Sequence, residues 1–192
     1  MHMNNISEET VIIKDRTIFK FAWWLLLFLG LIAYFPFLLL WGSKILKLGF
    51  HMFLNRMWLI IVLMVIFHEG LHGLFWMFFT SKGFRAISFG FNKEMLSPYT
   101  HCNEPLKKYQ YILGGAAPLV ILGLIPFFFG LVAGNAFWLL AGAINIWCSA
   151  GDILSCYYIL RYPSNCLFLD HPDKPGFIVI YPDFSFDKEI KK

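Results

Sequence analysis

Four stretches of the chain, residues 21–41, 57–79, 112–133 and 136–160, each run for at least twenty residues with no more than one formal charge apiece. A helix needs about 20 predominantly apolar residues to cross the hydrocarbon of a bilayer. The composition points the same way, with 58% of 192 residues hydrophobic, 15% charged and 22 of them Phe. A globule of this size cannot bury so much apolar surface in one core and keep a wettable exterior. Disorder is excluded by the 19% aromatic content, because disordered chains are poor in aromatics and rich in charge. The net charge of +4 is modest, and its basic residues flank apolar segments, which argues against nucleic acid as a partner.

The expected fold is an all-α polytopic membrane protein, a single integral-membrane domain over residues 1–192 with four transmembrane helices, a loop at 80–111 and a tail at 161–192. The short Ala133-Gly134-Asn135 link predicts that the third and fourth helices form an antiparallel hairpin. The apolar run from Phe19 is longer than a signal-peptide core and no small-x-small site follows it, so it is expected to be retained. Cys102, Cys148, Cys156 and Cys166 form no CxxC pair, which indicates neither a zinc ribbon nor a disulfide framework.

Lys14, Arg16 and Lys20 precede the first apolar stretch, Lys82, Arg85, Lys93, Lys107 and Lys108 follow the second, and Arg161 follows the fourth. The positive-inside rule then predicts that both termini and the central loop lie in the cytoplasm. The first outer loop is itself basic, with Lys44, Lys47 and Arg56. Within the central loop, Phe84 to Phe91 alternates and is rich in β-formers, Asn92-Lys93 offers a turn, and Met95 to Thr100 returns as a short cytoplasmic hairpin limited by Pro98. In the tail, Asp170 to Gly176 reads as a turn before a strand-like Phe177 to Tyr181 and a charged end.

The second apolar stretch contains His68-Glu69-Gly70-Leu71-His72, the HExxH pattern of zinc hydrolases. On a helix the two histidines lie about 40° apart, with Glu69 inside the same arc of roughly 100°. Two imidazoles one turn apart are neighbouring ligands for Zn²⁺, and the carboxylate beside the first stays off the metal to take a proton from water. An ionisable residue mid-span costs on the order of 2.5 to 3.5 kcal/mol on insertion scales, and such residues are functional by default.

Zinc needs a third protein ligand. Asp152 is the one acid in the other three spans, and counted from Arg161 it lies at the depth of His68 and His72 counted from Thr80, about 12 to 18 Å from the cytoplasmic ends. Asn145, Cys148, Ser149 and Cys156 make a polar stripe around it at helical spacing. Cys148 and Cys156 remain alternatives, although buried cysteine is commonly a packing residue. Glu94, Glu104 and His101 follow the motif but fall in the loop, where solvated surface or substrate contact is their expected role. Phe75 and Phe78 occupy the positions of the metzincin extension, which is therefore lacking. His51 and His171 are expected at the interface and on the tail surface. Gly114, Gly115, Ala116 and Ala117 read as close helix packing, with substrate admission as the alternative.

These residues resemble a small bacterial membrane family of zincin peptidases and, through it, the site-2 proteases. The resemblance covers roughly residues 60 to 182: His68 to Gly73, Gly83 to Phe91, Gly114-Gly-Ala-Ala-Pro118-Leu, Gly151-Asp152 and Asp170 to Phe177. It implies zinc bound by His68, His72 and Asp152, with Glu69 as the catalytic base. Asn145 is the candidate for polarising the scissile carbonyl. Asn145-Ile-Trp-Cys-Ser-Ala precedes Gly151-Asp152 without proline, and the pair stands in reverse of the site-2 order.

The expected function is intramembrane zinc-dependent hydrolysis of a peptide bond in a transmembrane or membrane-associated protein, with the lipid bilayer as its medium and the loop hairpin pairing with the unwound substrate strand. Two alternatives are a catalytically silent zinc-binding chaperone or adaptor and an ion or proton conduit. A closed site with four protein ligands would mark the first, and the absence of stoichiometric zinc the second.

Overall fold

The structure, a computed structural model, describes residues 7–92, 97–172 and 174–182. Lys93 and Glu94 of the loop, Asp173 of the tail turn and the charged end of the tail lie outside these.

Helix α1 (Asp15–Leu54) is interrupted at Gly42, whose φ of 79° and ψ of 167° leave the helical region. A left-handed φ costs a glycine little, and the break divides the element into a long limb, 15–41, and a short one, 43–54. Helix α2 (Met57–Met77) follows. Helix α3 (Lys108–Pro118) runs through a π-helical stretch, Leu119–Leu124, into α4 (Ile125–Ala133). Gly134 ends α4 at φ 68°, and the Asn135 side chain caps α5 (Ala136–Cys148) by accepting from the Trp138 amide. Helix α6 (Ala150–Leu160) completes the set. By length and composition three helices, α1, α2 and the run Lys108–Ala133, reach membrane-spanning size, or four if α5 and α6 count as one.

That last pair differs from the single helix expected over 136–160. α5 and α6 meet at a 52° bend. Ser149, between them, adopts φ −76°, ψ 12°, and its hydroxyl donates to the Asn145 carbonyl at 3.0 Å. A serine that bonds back four residues competes with the helical ladder and bends it. No proline is needed for the break.

The chain is mostly helical but not all-α. Strands β1 (Glu8–Ile12), β4 (Leu106–Lys107), β5 (Leu167–Asp170) and β6 (Gly176–Ile180) form an antiparallel sheet in the order β1-β6-β5-β4. Glu8 pairs with Ile180 and Leu106 with Phe168. Three of these strands come from short stretches of the N-terminal segment, loop and tail, each too brief to announce itself by alternation. Together they bury Phe168, Phe177 and Val179 completely against Trp76, Tyr111 and Ile159.

The expected hairpin is present as β2 (Ile87–Asn92) and β3 (Ser97–Cys102), in register from Ile87↔Cys102 to Asn92↔Ser97. Residues Gly83–Ala86 form a 3-10 turn instead of the strand's first residues, and Pro98 sits inside β3 opposite Phe91. The hairpin lies on α2: a Cβ on Gly73 would touch Ile87 and Phe89 at 3.0 Å. A second core joins Leu29, Ala33 and Phe37 of α1 to Phe127, Leu139 and Ile146. There α4 and α5 approach to backbone contact, since a Cβ on Gly142 would lie 2.4 Å from the Phe127 nitrogen. Small residues permit that approach.

Candidate metal centre

α2 presents His68 and His72 on one face, both buried, and α3 and the α5–α6 bend pack around them. The bend puts Asp152 in the first turn of α6. Its Oδ2 lies 3.1 Å from His68 Nε2 and its Oδ1 lies 3.5 Å from His72 Nε2. One ligand atom from each of the three residues lies within 4.8 Å of the others. In a tetrahedral zinc site with bonds near 2.0 to 2.1 Å, neighbouring ligand atoms stand about 3.3 Å apart. The observed spacings bracket that value.

The outer partners also fit. His72 Nδ1 is 2.9 Å from the Gly114 carbonyl, and His68 Nδ1 is 3.4 Å from Asn145 Oδ1. Both acceptors call for the N–H on Nδ1, which leaves each Nε2 lone pair aimed at the shared centre. Asn145 Nδ2 donates to the Pro118 carbonyl at 3.0 Å, which fixes the orientation of the amide. Trp76 stacks on His72, centroids 5.3 Å apart at 20°, and donates through Nε1 to the Tyr111 carbonyl.

These contacts change the reading of two features. Asn145, the candidate for polarising a scissile carbonyl, is 1% exposed with both ends of its amide engaged, an arrangement that holds His68. Gly114 packs closely, as expected, and also faces the site through its carbonyl. A Cβ there would lie 2.1 Å from the Trp76 ring.

Glu69 does not join the cluster of ligand atoms. It lines two cavities that meet beside it. The first, about 360 Å³, is also lined by His72, His101, Asp152, Ser155 and Asp170. The second, about 540 Å³, is largely apolar and runs past Ile18, Ile61, Met64, Ile144 and Trp147. Glu69 is fixed from the hairpin side, where the Thr100 hydroxyl donates to its backbone carbonyl at 2.8 Å.

Of the other candidates, Glu104 accepts from the Ser81 and Lys82 amides and the Ser81 hydroxyl. The Ser81 amide leads in holding its carboxyl below the usual range, so it caps a turn. Cys156 lines the first cavity and Cys148 the second, and neither joins the ligand cluster among the described residues. His51 is exposed on the short limb of α1, while His171, expected on the tail surface, borders the first cavity. Glu94 lies outside the described residues.

Asp170 had no role assigned from the sequence. It is buried at the end of β5, accepting from the Cys102 amide at 2.7 Å and from the Tyr111 hydroxyl. Burial pushes its carboxyl up, against the pull of those two donors. Burial likewise pushes the Cys102 thiol up to about 11, the state of an inert packing cysteine.

The family model described as "Putative zincin peptidase" matches residues 61–167, more than half of the chain and the whole of the His68, His72 and Asp152 cluster. The chain belongs to this zincin peptidase family. It is also similar to a protein of Pyrococcus woesei described as "Uncharacterized 24.7 kDa protein in gap 5'region", 30% identical over 112 residues. The match covers 57% of this chain and 49% of that protein, so the zincin-family chain spans about half the length of its curated relative. No solved structure matches it. Zincin membership carries zinc and peptidase chemistry as the family's description, and the His-His-Asp cluster is where this chain can hold such an ion.

Proposed function

We propose that the chain is an intramembrane zinc metalloprotease, related in mechanism to the site-2 proteases, in which His68, His72 and Asp152 hold the metal and Glu69 is the base. The observation that carries this reading is the convergence of three ligand atoms from two separate helices, each histidine oriented from behind. Zinc bound there supplies Lewis acidity and makes water a nucleophile near neutral pH. Glu69 accepts the proton of the attacking water on its carboxylate and returns it to the leaving amide nitrogen. Asn145 and Gly114 hold the imidazoles in the tautomer that binds metal.

The membrane setting is supported by the outward faces of the long helices, where Trp23, Trp24 and Leu39 are mostly exposed. Pairing of β1 with β6 puts the two ends of the described chain on one side. That pairing supports an even number of crossings and so favours counting α5 and α6 as one span. Positive charge favours the cytoplasm for that side. Glu69 sits between a polar cavity bordered by the loop and tail and an apolar one between α1, α2 and α5. Water reaches the carboxylate by the first, and an apolar substrate segment by the second. The β2–β3 hairpin, anchored to α2 beside Glu69, offers an edge to an unwound strand.

The test is co-expression with single-span membrane proteins, comparing wild type with Glu69→Gln for cleaved fragments and trapped complexes. Fragments that depend on Glu69 support the proposal. Full zinc with no Glu69-dependent fragment across a membrane proteome would instead favour a silent zinc-binding adaptor.

A further inference from the structure

The short limb of α1 was expected as a loop. It is a helix, and Lys44, Lys47 and His51 fall on it at spacings of three and four, within an arc of about 60°. No acidic residue occurs between Ser43 and Arg56. Among the described residues no carboxylate lies within ion-pair distance of Lys44, Lys47 or Arg56. Trp41 and Trp58 stand exposed at either end, where interfacial aromatics belong. A basic stripe on an otherwise apolar helix is the pattern of an element lying along a headgroup layer.

Beneath the stripe is a cleft of about 460 Å³, walled by Leu26, Gly30 and Ala33 of the long limb, Phe50 of the short limb, and Leu140 and Ala143 of α5. Lys47 is its one charged group. Leu26 and Phe50 are 24 residues apart, about 36 Å along a straight helix. Sharing one cleft therefore requires the chain to fold back at Gly42. The cleft falls within the roughly 300 to 1,000 Å³ of ligand sites.

We propose that this limb and cleft bind an anionic phospholipid, with Lys47 and Lys44 on the phosphate and an acyl chain in the cleft. The inference rests on the membrane-spanning part of the function proposed above and is separate from its chemistry. Unpaired cationic charge lining an apolar slot selects an amphiphile with an anionic head over a neutral one.

The full chain would be reconstituted in vesicles of equal parts phosphatidylglycerol and phosphatidylcholine, and the lipids it retains counted by native mass spectrometry. Wild type should retain phosphatidylglycerol in preference. Lys44→Gln and Lys47→Gln should each lower that preference by about 5-fold, while a matched Lys82→Gln leaves it intact. A Cβ added at Gly30, in the cleft wall, meets nothing within 4 Å, so Gly30→Leu should intrude on the cleft and reduce retention of both lipids. Equal retention of the two lipids by wild type, a preference that survives the double lysine variant, or a second copy of the chain retained in place of lipid would each overturn the site. A chain that fails to enter the vesicles would overturn the membrane reading itself.

Discussion

Gly114 serves the site through both of its sides: its carbonyl accepts from His72, and its missing Cβ leaves room for the Trp76 ring that stacks on the same imidazole. Gly114→Ala should displace Trp76 and weaken zinc binding by about 10-fold or more, the usual effect of losing an outer partner; titration against a competing chelator measures it. Asn145→Ala should weaken binding by roughly 10- to 100-fold by the same logic, with Asn145→Asp restoring part because it keeps the acceptor. At this scale the His68, His72 and Asp152 cluster was legible because an ionisable group in an apolar helix has few innocent explanations. Asp170 was not. It stands in a tail rich in proline and charge that reads as a solvated turn, and it is buried only because β5 folds between β6 and β4.

The elements that matter most are the interrupted ones. Four apolar stretches were readable from length alone, and each has its counterpart among the helices. The break at Gly42, the π-helical stretch after Pro118 and the bend at Ser149 were not, since hydropathy carries no information on local backbone dihedrals or on a serine hydroxyl that adds a second bond to a helical carbonyl. Of the small sheet only β6 was legible, as the strand-like Phe177 to Tyr181; β1, β4 and β5 escaped because they are two to five residues long and drawn from distant segments. Two predictions belong here. Gly142→Leu should force α4 from α5 and cost about 1 to 3 kcal/mol, seen as a lower midpoint of thermal unfolding in detergent. On β1, Glu9 accepts from the Tyr181 hydroxyl at 2.5 Å and the Tyr162 hydroxyl at 2.8 Å, and the bond from Tyr181 leads in lowering its pKa from 4.5. A carboxylate lowered on folding stabilises above its unfolded pKa, and that contribution disappears as pH falls through the folded value. Protection of the β1 amides, measured as exchange relative to the unfolded chain at the same pH, should therefore fall below about pH 4.5 in wild type, and Glu9→Gln should flatten that dependence.

Across the whole molecule, one sheet gathers the N-terminal segment, the central loop and the tail, while the helices carry the apolar surface outward. If the crossings are even, tags at both ends should report the same compartment, and a cysteine placed in 43–56 should label from the other side. Tags in opposite compartments would contradict the β1–β6 pairing that sets Glu8 beside Ile180. The family match, the cluster and its outer partners all meet in the claim that His68, His72 and Asp152 hold a single zinc ion. Elemental analysis of the purified full chain tests that directly: wild type and Glu69→Gln should carry one zinc per chain and Asp152→Ala much less. A full complement in Asp152→Ala, or none in wild type, would contradict it.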